Sequence, residues 1–124
     1  MKKEYNTDNP TVAAALAALD RGAQIILHPR QEQNGIYDFA VRFPDEQRYK
    51  KAVSILFCVA DENGKAKILP RNSLVLFSLR VRALTNAIFA RIDQLRKNPK
   101  HDNVIEVSRE IPQNEKWEVQ KEEQ

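Results

Sequence analysis

The chain has 124 residues and a mass of 14.3 kDa; 42% of its residues are apolar and 30% charged, and 20 Lys plus Arg against 17 Asp plus Glu leave a net charge of +3. That is the size and composition of one soluble globular domain spanning residues 1–124, and three Gly and six Pro exclude collagenous, linker-like and low-complexity classes. Apolar runs such as Leu74 to Phe77 fall far short of the ~18 residues of a membrane span, and residues 1–8 are polar where a signal peptide carries its apolar core, so a cytoplasmic protein is expected.

Residues 1–8 offer little to bury and are expected to fray. Asn9-Pro10 then opens the first element: Asn is a favoured cap, Pro fits the first helical position, Val12 to Leu19 is rich in Ala, and Gly22 follows. A helix over 9–21 is expected, with alanines that let a neighbouring backbone come close. Gln24 to His28 is apolar and β-branched, Asn34-Gly35 supplies the positive φ of a tight turn, and Tyr37, Phe39, Val41 and Phe43 alternate with Asp38, Ala40 and Arg42. These residues predict a hairpin whose aromatic face points toward a core and whose second strand ends at Pro44.

Asp45 to Glu62 fits two patterns. Val53, Ile55, Phe57 and Val59 could alternate in a strand that pairs with Lys65 to Leu69. The fuller count favours a helix, with Tyr49, Ala52, Val53, Ile55, Leu56, Val59 and Ala60 on one side, Asp45 as cap and Gly64 as stop. The single cysteine, Cys58, lies in this apolar stretch and is expected to be a reduced, packed thiol. From Ser73 to Lys97 the pattern is stronger: Leu74, Phe77, Val81, Leu84, Ile88, Ile92 and Leu95 form one helical stripe. A second side with Leu76, Leu79, Ala83, Ala87 and Ala90 predicts cover by the first helix or by another copy of the chain. Asn98-Pro99 ends the helix. Val104 to Ile111 reads as a strand with Ile105, Val107 and Ile111 on one face, a last strand is expected around Trp117 and Val119, and 120–124 should fray.

The fold class expected is therefore α+β, in the order α-β-β-α-α-β-β. An antiparallel sheet of two hairpins would carry helices on one face, with the long helix at about 73–97 in the centre.

Charge is unevenly spread. Residues 52–99 hold eight bases against three acids, and residues 100–124 hold four bases against seven acids. Lys65, Lys67 and Arg71 run into the start of the long helix, where free backbone amides favour an anion. Arg80 and Arg91 project from one flank of the apolar stripe, and Arg82 and Arg96 from the other. Lys65, Lys67, Arg71, Arg80 and Arg82 are thus candidates for phosphate contacts to nucleic acid, while a solvated helix surface explains the same residues. Leu76, Leu79 and Trp117 are candidates for a protein contact or for self-association.

Catalytic chemistry has no visible carrier. Gly22, Gly35 and Gly64 are isolated and form neither a phosphate loop nor a dinucleotide fingerprint, and His28 and His101 have no partner at metal-ligand spacing. No metal, cofactor or enzymatic activity is expected. Two functions lead: a small non-enzymatic module contacting nucleic acid through the basic segment, or a protein-interaction module of the inhibitor, immunity or assembly-subunit kind, acting through a helix and strand surface as a partner or a homodimer; a small-molecule or enzymatic site in a cleft built by fold contacts is the third.

Overall fold

The computed structural model describes residues 3–33, 35–58, 64 and 73–111. Their order is β1 (Lys3–Thr7), α1 (Pro10–Ala18), β2 (Gln24–Pro29), β3 (Tyr37–Phe43), α2 (Glu46–Phe57), α3 (Leu74–Lys97), β4 (Val104–Glu106) and α4 (Val107–Glu110). The four strands form one antiparallel sheet in the order β1-β3-β2-β4, and the fold is α+β as its pattern predicts. The sheet contains one hairpin, β2–β3, with β1 added beside β3 and β4 beside β2. A strand around Trp117 and the frayed end at 120–124 lie outside the described residues.

The period-two pattern of β3 settles which face is covered. Phe39, Val41 and Phe43 join Ile25, Leu27 and Ile105 in the core, with Tyr5 and Tyr37 packed at its margin. The opposite face carries a polar row across all four strands, Glu4, Arg42, Gln24 and Glu106 in register. Arg42 Nε donates to Glu4 Oε2 at 2.7 Å, and Gln24 Nε2 donates to Glu106 Oε1 at 2.6 Å.

Residues 3–7 are a strand and not a frayed end. An edge strand needs only a backbone to pair with and one side chain to anchor it, and here Lys3 to Thr7 run against Phe43 to Phe39 while Tyr5 stacks on Phe57 with ring centroids 5.7 Å apart. Glu4 completes the anchoring through its ion pair with Arg42.

Asn9 caps α1 as its chemistry requires: Oδ1 accepts from the amides of Thr11 at 2.8 Å and Val12 at 3.3 Å. Ala13, Ala14, Leu16, Ala17 and Ala18 are all buried, and α1 packs against α3 on one side and the sheet on the other. A helix apolar all round belongs in the interior, and α1 contacts both the long helix and the sheet. Just beyond it, Asp20 accepts from Gly22 N at 2.8 Å and receives both Nε and Nη2 of Arg48, which ties the end of α1 to α2.

In α2, Asp45 caps through a 2.9 Å bond from Arg48 N, but the helix ends at Phe57 and not near Glu62. Cys58 takes the left-handed conformation at its C-cap, with φ of 54°, and is exposed. The early stop turns the thiol away from the packed side, which corrects the expectation of a buried cysteine.

Val104 to Ile111 is also revised: it is a three-residue strand followed by one helical turn. A continuous strand would place Arg109 on the same face as Ile105, Val107 and Ile111. The helical turn puts Val107 and Ile111, four residues apart, on one side, and both are buried while Arg109 is exposed. Val107 N still donates to Ala23 O at 3.2 Å, so the switch costs no hydrogen bond at the junction.

Candidate functional site

α3 is the element on which both candidate surfaces meet. Its inner side enters the core through Leu84, Ile88, Ile92 and Leu95, with Phe77, Val81 and Ala87 partly covered. Leu74, the first residue of the stripe, stands half out in solvent.

Three arginines of this helix serve the fold. Arg80 is 2% exposed, and its Nη1 donates at 2.9 Å to the carbonyl of Ala18, in the last turn of α1 where carbonyls lack intrahelical partners. Arg91 Nη1 donates to the carbonyls of Asp102 at 2.9 Å and Val104 at 2.7 Å, holding the approach to β4. Arg96 Nη2 reaches the carbonyl of Gly35 at 2.8 Å and clasps the β2–β3 turn, where Gly35 adopts a φ of +81°. The shared flank read for Arg80 and Arg91 is real, but it faces the protein.

The expected phosphate-contacting set is therefore divided. Arg80 points inward, Arg82 is exposed, and Lys65, Lys67 and Arg71 lie outside the described residues. Ser73, beside the helix start where an anion was expected, is buried and makes no side-chain cap bond.

The apolar candidates fare differently. Leu76 is half-buried, Leu79 is 52% exposed, and Trp117 lies outside the described residues. Three other apolar side chains of α3 are exposed as well: Leu74 at 49%, Val75 at 70% and Phe89 at 52%. Their signal was present in the helical phase, since at roughly 100° per residue Val75 and Leu79 fall on the side away from Leu84 and Leu95. Val75, Leu79, Arg82, Asn86 and Phe89 recur at four, three, four and three residues along this outer side.

A separate shallow cleft of about 410 Å³ opens at one end of the sheet, lined by Asn6, Thr7, Asp8, His28, Asp38 and Phe39. His28 and Asp38 face each other across β2 and β3. Arg30 pairs with two of these carboxylates: its Nη2 lies 2.9 Å from Asp38 and 3.7 Å from Asp8. The hydrogen bond to Asp38, then the attraction of its charge, raises the guanidinium pKa above its ordinary value. These contacts tie Arg30, just beyond β2, to Asp38 of β3 and to Asp8, just beyond β1.

Among the described residues there is no group of three His, Cys, Asp or Glu side chains able to hold a metal ion, and no helix long and apolar enough to cross a membrane. No family model, curated protein or solved structure matches the chain.

Proposed function

We propose that the chain is a small, non-enzymatic, cytoplasmic protein-interaction module whose contact surface is the outer face of α3, with a second copy of the chain as its partner. The observation that carries this reading is the exposure of Val75, Leu79 and Phe89 on one side of one helix, because apolar side chains grouped on a surface mark contact sites far more often than isolated ones do. Val75 and Leu79 stand one turn apart and Phe89 ten residues on, so the three share one side of the helix, with Arg82 and Asn86 between them. A matching helix of 24 residues is supplied by α3 of another copy, and a two-fold axis would let the same face serve both chains.

A contact made by one helix face with three exposed apolar side chains is expected to fall in the small, weak class of interfaces. Sedimentation equilibrium over roughly 10 to 500 µM, the range in which such interfaces dissociate, is expected to show a monomer–dimer equilibrium; a strict monomer throughout overturns the proposal. The competing reading, phosphate contact through Lys65, Lys67, Arg71 and Arg82, is favoured by the eight bases against three acids in residues 52–99. Titration of the same protein with labelled single- and double-stranded DNA and RNA decides for that reading if binding is micromolar or tighter with a steep salt dependence.

A further inference from the structure

We draw no further inference here: the strongest candidate, the shallow cleft lined by Asn6, Asp8, His28 and Asp38 at the end of the sheet, carries nothing because its carboxylates already hold Arg30 and nothing in the structure points to a ligand for it.

Discussion

Replacing Arg80 with Met separates a structural arginine from a surface one. The guanidinium is buried and its Nη1 bonds the Ala18 carbonyl at 2.9 Å, so the substitution removes a charge-assisted hydrogen bond worth about 1.5–3 kcal/mol and leaves a helix-end carbonyl without that donor. Met retains most of the side-chain volume and restores some free energy, because a buried guanidinium no longer has to be stripped of water. The net loss expected for Arg80→Met is about 2 kcal/mol. With a urea dependence of ~1–3 kcal/mol per molar for a domain of this size, the unfolding midpoint should fall by about 1 M. Arg82→Met, on the exposed side of the same helix, should stay within ~0.5 kcal/mol of the native chain. The assay is urea unfolding followed by far-UV circular dichroism. An Arg80→Met curve superimposable on the native one, or equal losses from both variants, would refute the assignment of Arg80 to the fold.

Leu84 of α3 is fully buried in the core, and Leu84→Ala should cost about 2–5 kcal/mol through lost burial and a cavity, read as a lower thermal midpoint. Asp20→Ala removes the carboxylate that receives Arg48 and Gly22 N; because Arg48 is nearly half exposed, a loss of about 1–2 kcal/mol is expected in the same urea assay. Native protein should react with one equivalent of a thiol reagent without denaturant, since Cys58 is exposed at the end of α2, and protection until unfolding would contradict that position.

The parts of the fold legible in the sequence are those fixed by local chemistry. Asn9-Pro10 starts a helix because the cap and the missing proline amide act within one turn, and Tyr37 to Phe43 form a core-facing strand because alternation alone decides the face. β1 was not legible, because a strand with a single aromatic anchor is specified by its pairing with β3, more than thirty residues away in sequence. Burial of Arg80 depends on a carbonyl 62 residues distant, although its spacing of four from Leu84 and eight from Ile88 hinted at the buried side. The turn at Val107 follows the same logic: the conflict between Arg109 and the core was visible, and its resolution required knowing where β2 begins. Of the exposed apolar residues of α3, Leu79 was legible in the sequence as a candidate for a protein contact. Leu74 was assigned to the inner stripe because periodicity gives the direction of a side chain and not how far along the helix the core extends.

The outer face of α3 is tested most directly by sedimentation equilibrium of Leu79→Glu beside the native chain, with circular dichroism verifying that both are folded. Leu79 is about half exposed, so a charge there should move stability little while placing a carboxylate within the apolar part of that face. The proposal predicts reversible dimers of the native chain and a variant that remains monomeric at the same concentrations. A native chain and a variant that associate identically would contradict it, because the contact would then lie elsewhere on the molecule.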